Sequence, residues 1–149
     1  MIVKLEKCAS ATRPEVIVRY AEMNQQVERI FFLLQSIDKK IPCRLGNEEK
    51  FISVFDIYYF ESVDKKTFIY CEKEVYNTDS RIYQLAEELA PLGFVQISKS
   101  FILNINVLDS IKPLPNSRIE ATLKNGEKVF VTRKYLENIR QALQEGVEA

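Results

Sequence analysis

Residues 56–70 read DIYYFESVDKKTFIY. Asp64, Lys65 and Lys66 form a polar, turn-prone break, and the runs on either side are aromatic and β-branched. The stretch therefore predicts two strands, Ile57 to Ser62 and Thr67 to Glu72, folded back on each other about an exposed, positively charged turn. Phe55, Tyr58, Tyr59, Phe60 and Phe68 follow strand periodicity, which assigns them to a core and not to a platform for stacking unpaired bases. Glu61 and Asp64 read as turn chemistry beside the lysines and not as a catalytic carboxylate pair.

Strand patterns continue on both sides. Upstream of the hairpin lie Pro42 to Leu45 and Lys50 to Val54, and downstream Glu74 to Tyr76. Ser80 then offers a cap for a helix over Arg81 to Ala90, whose Ile82, Leu85, Ala86 and Leu89 make one apolar stripe, with Gly93 near its end. Further strands are predicted at Phe94 to Ile97, Val107 to Lys112 and Arg118 to Leu123. Asn125-Gly126 joins the last of these to Lys128 through Thr132 as a tight hairpin. A closing helix from Lys134 to Leu143 turns Leu136, Ile139 and Leu143 inward.

At the other end, Ile2 to Glu6 and Glu15 to Tyr20 alternate like short strands around Arg13-Pro14. From Asn24 to Ile37, Val27, Ile30, Phe31 and Leu34 fall on one helical face, which Phe32, Leu33 and Ile37 widen beyond what one core seam needs. Phe31, Phe32, Leu33 and Leu34 are accordingly read as a dimer or partner surface. Asp38-Lys39-Lys40 and Pro42 end this helix. The division expected is a β-β-α extension over residues 1–40 and a main domain over 41–149, in an α+β fold that is mostly β.

At 149 residues the chain has room for one domain with an appendage. It contains no histidine, which removes the commonest general base and metal ligand, and Cys8, Cys43 and Cys71 show no C-x-x-C spacing. No catalytic residue, metal or cofactor is expected. The charged N-terminus leaves no signal-peptide core, and the longest apolar run, Ile30 to Leu34, is far too short to span a bilayer, so a cytoplasmic protein is expected. Net charge is zero, yet residues 46–96 carry a net of −5 and residues 97–140 a net of +4. The basic half is the one suited to phosphates. Within it Lys99 stands between Ser98 and Ser100 in a loop, and Arg133-Lys134 stand where the last strand becomes the last helix, positions from which side chains and free N–H groups reach phosphate oxygens.

Four stretches appear in order: DIYYFESVDKKTFIY (56–70), RIYQLAEEL (81–89), FVQISKSFILN (94–104) and LKNGEKVFVTRKYL (123–136). On these the chain, from about Ile41 to Leu143, resembles the LytTR DNA-binding domain of bacterial transcription regulators. The resemblance implies an elongated stack of small antiparallel sheets with a flanking helix. It also implies binding of specific duplex DNA through loops placed in successive major grooves. The implied DNA-facing residues are Lys65, Lys66 and Thr67 in the first loop, Ser98, Lys99 and Ser100 in the second, and Arg133 with Lys134 in the third.

Gln96 and Ser98 depart from the family pattern, where Arg and His are frequent, and both changes lower the positive charge. Asn104 is read as a turn or backbone-bonding residue, since Asn bonds local backbone readily. Residues 1–40 are too few for a receiver domain and resemble the extension of stand-alone regulators, often encoded beside a small membrane protein that is a possible partner. The implied assembly is a homodimer on direct repeats. The rival reading is a protein-interaction or assembly module without sequence-specific DNA binding.

Overall fold

The 56–70 stretch folds as the expected hairpin, β3 (Ile57–Val63) and β4 (Lys66–Cys71), in the register Phe60↔Ile69, Glu61↔Phe68 and Val63↔Lys66. The computed structural model describes residues 1–148; Ala149, the last residue of the expected main domain, lies outside them. Before the hairpin come α1 (Gln25–Gln35), β1 (Lys40–Leu45) and β2 (Glu48–Ser53), and after it β5 (Val75–Thr78), α2 (Ile82–Leu89), β6 (Phe94–Ser98), β7 (Phe101–Asn104), β8 (Leu108–Leu114), β9 (Arg118–Leu123), β10 (Lys128–Val131) and α3 (Leu136–Glu148). Strands dominate, with three α-helices among the described residues, as the α+β reading expects.

Two antiparallel sheets form, one in the order β2-β1-β5-β4-β3-β7-β6 and one in the order β10-β9-β8. The outer β1–β2 hairpin is joined to β5 through one bridge, Arg44↔Asn77, so a nearly separate small sheet is fused to the larger one. Ile57, Phe60, Ile69 and Ile102 pack on one face of the large sheet against Leu85, Leu89 and Leu92 from α2 and the short turn after it. Tyr59, Ile97 and Leu103 pack on the opposite face against Ala121, Leu123 and Val131 of the small sheet and Leu136 and Ile139 of α3. Hence β3, β6 and β7 are buried on both faces. That explains why β7, absent from the sequence reading, was invisible: Phe-Ile-Leu-Asn shows no alternation when both sides are covered.

Several sequence expectations hold. The helix expected from Asn24 forms, and Asn24 proves to cap it, a role not foreseen, its Oδ1 accepting the Val27 N–H at 2.9 Å. Gly93 takes a left-handed φ of 92° at the end of the turn after α2. Asn104 is buried; its Nδ2 donates to the Ile57 carbonyl at 2.8 Å and its Oδ1 accepts the Asn106 N–H at 3.0 Å, a wholly backbone-bonding role.

Others are corrected. The cap position of α2 falls on Arg81, whose N–H donates to Gln84 Oε1 at 3.0 Å, whereas the N–H of Ser80 is engaged by Thr78 Oγ1. The two expected N-terminal strands do not form: residues 1–24 are irregular and mostly exposed, with a turn closed by Ala11 N–H to the Cys8 carbonyl at 3.2 Å. The β-β-α extension is thus an irregular arm followed by a helix. The physical reason is that a lone two-strand element has no third strand or packed face to hold it. The apolar arc of α1 also divides: Val27 is buried and Leu33 leans on the core, Leu34 is half-buried, and Phe31 and Phe32 face solvent.

Candidate nucleic-acid interface

The first loop is a two-residue hairpin turn, Asp64-Lys65, with φ of 50° and 66°. Two consecutive left-handed residues give the turn that matches strand twist. A lysine there costs about 1 kcal/mol relative to glycine, yet its side chain stands exposed at the tip beside exposed Lys66. Thr67 behaves otherwise. It is buried, paired with Ser62 and Thr78 on the Ile69 side of the strand, and lines the floor of the loop beside the two lysines.

In the second loop, Lys99 and Ser100 form the turn between β6 and β7, with Ser98↔Phe101 as the closing pair and a register shift between Gln96 and Ser98. Lys99 is exposed and both serines are half-buried. Gln96 Nε2 donates to the Lys99 carbonyl at 3.3 Å, so the residue that departs from the family pattern braces this loop from beneath. Asn138 of α3 reaches the Gln96 carbonyl at 3.4 Å.

The third loop follows β10. Thr132 precedes a 3-10 turn, Arg133–Tyr135, which runs directly into α3, and both Arg133 and Lys134 are exposed.

Backbone hydrogen bonds bring the three loops to one end of the molecule. Ser62 N–H donates to the Ser100 carbonyl at 2.8 Å, tying the first loop's strand to the second loop, and Thr132 N–H donates to the Ile97 carbonyl at 3.0 Å, tying the third to the second. Among the described residues Lys65, Lys66, Lys99, Arg133 and Lys134 form no ion pair, whereas Lys39, Arg44, Lys50, Lys128 and Arg140 all do. Arg133 in particular has no acidic partner to occupy it. Cations without carboxylates beside them remain available to phosphate or base acceptors.

Two further cations at this end escaped the sequence reading. Arg81 shares a polar concavity of about 390 Å³ with Lys65 and Lys66. Arg44, on the same wall, is neutralised by Asp79 in a two-pronged pair at 2.8 Å, and the guanidinium holds that carboxyl below its ordinary range. Arg118 begins β9, one residue before the Ile119↔Val131 pair, and its guanidinium lies 5.2 Å from the Phe130 ring centroid. Its sequence signal was the excess of positive charge in residues 97–140. Nothing local separated it from an ordinary exposed strand residue.

A second tie holds the sheets behind these loops. Tyr59 stacks between Tyr70 and Phe101, with ring centroids at 4.4 and 4.5 Å, and its hydroxyl donates to Glu127 Oε2 at 2.7 Å across to the β9–β10 turn. Burial and the adjacent carboxylate push the Tyr59 hydroxyl well above its ordinary pKa, keeping it a donor.

Residues 48–144 match the family model described as the LytTr DNA-binding domain. The chain is 26% identical over 137 residues, 91% of its length and 92% of the relative's, to an uncharacterized HTH-type transcriptional regulator of Staphylococcus aureus strain NCTC 8325 / PS 47, with the same figures for the counterpart in strain MSSA476. An alignment that long takes in most of the N-terminal segment as well. Among solved structures, the LytTr DNA-binding domain of a Bacillus cereus protein described as a methyl-accepting/DNA response regulator superposes with a TM-score of 0.67 at 24% identity, covering 71% of this chain and 97% of that one. In the present chain no two α-helices are consecutive among the described residues, and strands separate each from the next.

Proposed function

This chain belongs to the LytTr DNA-binding domain family, and from that premise we propose that it is a transcriptional regulator binding specific duplex DNA through its three loops. The observation that carries this reading is the gathering of Lys65, Lys66, Lys99, Arg133 and Lys134, none of them ion-paired among the described residues, on loops tied together at one end. Arg133 supplies a fork suited to guanine in the major groove, and the lysines and the flanking Ser98 and Ser100 position the backbone. The family match does not favour the rival reading of an interaction module without DNA specificity. No helix among the described residues is long and apolar enough to cross a membrane, and cytoplasmic placement is part of the same proposal.

Selection from random duplexes followed by footprinting tests the reading directly. A defined, protected site supports it, and uniform affinity for every duplex would remove it. The first loop has its own expected outcome. Lys65→Ala with Lys66→Ala should weaken all duplexes alike and reduce the salt slope by about 0.9 for each phosphate no longer neutralised, with sequence preference intact. A slope unchanged from wild type would take this turn away from DNA.

The assembly proposed is two protomers on direct repeats, with the exposed Phe31–Phe32 face of α1 as a contact surface. Replacing both phenylalanines by serine, while sparing the inward Leu33, should leave the fold and half-site binding unchanged and weaken binding to a two-repeat site, because pairing raises the effective concentration of the second module. Loss of folding would instead assign these rings to the interior. If pairing survives intact, the face is free for another partner, of which the small membrane protein is the candidate.

A further inference from the structure

The N-terminal arm presents an unmet strand pattern. Leu5 is fully exposed, and Ile2, Val3, Val16 and Ile17 are all more than two-thirds exposed. The arm carries Lys4, Lys7, Arg13 and Arg19 against Glu6, Glu15 and Glu22, so its near-neutral balance gives little pull toward a polyanion. One hydrogen bond, Ala11 N–H to the Cys8 carbonyl at 3.2 Å, shows where the arm reverses direction.

The two limbs are unpaired in the structure, with bends at Thr12 and Arg13, and the turn defines the register they would take if drawn together as a hairpin. Continued outward from Cys8 opposite Ala11, it places Glu6 opposite Arg13, Lys4 opposite Glu15 and Ile2 opposite Ile17 on one side. On the other side it sets Val3 opposite Val16 and Leu5 opposite Pro14. One face is then apolar beyond Lys7 and Thr12 at the turn, and the other carries opposite charges with Ile2 and Ile17 at its outer end. In this register the position of Pro14 is one whose N–H would point away from the first segment, so its missing donor costs nothing there. Arg19 is left beyond the first segment's end, with no residue opposite it.

We infer that a second copy of this chain supplies that opposite residue, the two arms pairing antiparallel along Glu15 to Arg19 about a two-fold axis at Ile17. In this register Glu15 of each copy faces Arg19 of the other, Val16 faces Val18, and Ile17 faces itself. A shift by one residue would set Glu15 against Tyr20 and Arg19 against Val16, so the charges select the centred register. The joined arms make four strands with one continuous apolar face. That meets the strand number independent stability requires, which one hairpin does not. An isologous contact of this kind closes on itself as a dimer. Residues 21–24 carry no regular structure, so paired arms can tether two DNA-binding bodies in whatever order their half-sites require.

The test uses the full chain and charge-reversed partners. Glu15→Arg alone and Arg19→Glu alone each set like charges opposite one another across the axis, and each should raise the dimer dissociation constant about tenfold or more. A one-to-one mixture of the two restores both ion pairs and should form a heterodimer about as tight as wild type, read by sedimentation of differently labelled chains. Ile17→Cys in a Cys8→Ser background should cross-link to itself on oxidation, since residues on the axis lie at about 4.5 Å between Cα atoms in a non-hydrogen-bonded pair. Val16→Cys should cross-link poorly. A wild-type chain that remains monomeric at tens of micromolar, a mixture no tighter than its components, or cross-linking at Val16→Cys in preference to Ile17→Cys overturns the inference. The arm is exposed, so unchanged thermal melting is expected throughout and confirms that the variants report on pairing.

Discussion

Arg133→Ala is expected to weaken binding to the selected DNA site by roughly 1–3 kcal/mol and to relax preference at one base pair, with no change in melting. The two halves of that expectation have different origins. Arg133 is exposed in the turn before α3 and forms no ion pair among the described residues, so its removal leaves no buried gap and no orphaned carboxylate. A guanidinium bidentate to guanine loses discrimination along with attraction, whereas a phosphate contact would lose attraction alone. Titrating a panel of single-base variants of the site separates the two. Equal loss on every duplex would make Arg133 a backbone contact, and no loss would remove it from the interface.

Asn104→Leu should do the reverse. The substitution keeps approximate size, but it strips the Ile57 carbonyl of its donor at 2.8 Å and the Asn106 N–H of its acceptor at 3.0 Å, inside a site that is 1% exposed. Leaving such groups unpaired costs about 1–3 kcal/mol, which should appear as a lower denaturation midpoint. Specific DNA binding should persist wherever the variant is folded. Intact stability with lost binding would turn Asn104 into a DNA contact, against its place in the fold.

These two residues show what the sequence could and could not deliver. The hairpin over residues 56–70, the helix after Ser80 and the Asn125-Gly126 turn depend on local chemistry, and each formed within a residue or two of its expected place. Strand β7 depends on what covers it, and with Ile102 facing one core and Leu103 the other it had no local signature. The N-terminal strands erred in the opposite direction: their alternation is local, but pairing needs a neighbour that the chain alone does not supply.

At the candidate site, five exposed cations were legible from charge and loop position. Thr67 is the least exposed of the expected loop residues, and alternation along Lys66, Thr67, Phe68 and Ile69 already set it on the buried side of its strand. The ties that gather the loops, Ser62 to Ser100 and Thr132 to Ile97, join residues far apart along the chain, and no spacing rule foretells them.

The solitary bridge between Arg44 and Asn77 divides the large sheet into parts of unequal cooperativity. Strands β3, β7 and β6 share two cores and can open only by exposing both, so their amides lie near the global unfolding limit of hydrogen exchange. The β1–β2 hairpin is held at that joint by one bridge, a hydrogen bond from the Thr78 hydroxyl to the Pro42 carbonyl at 3.2 Å, an exposed ion pair and the few side chains it lends to the nearer core, and it can fray as a separate unit at a fraction of that free energy. Such fraying leaves intact the β3–β7 and β6–β7 ladders from which the second loop hangs. The edge of the molecule can therefore breathe without loosening the ladders that carry the second loop.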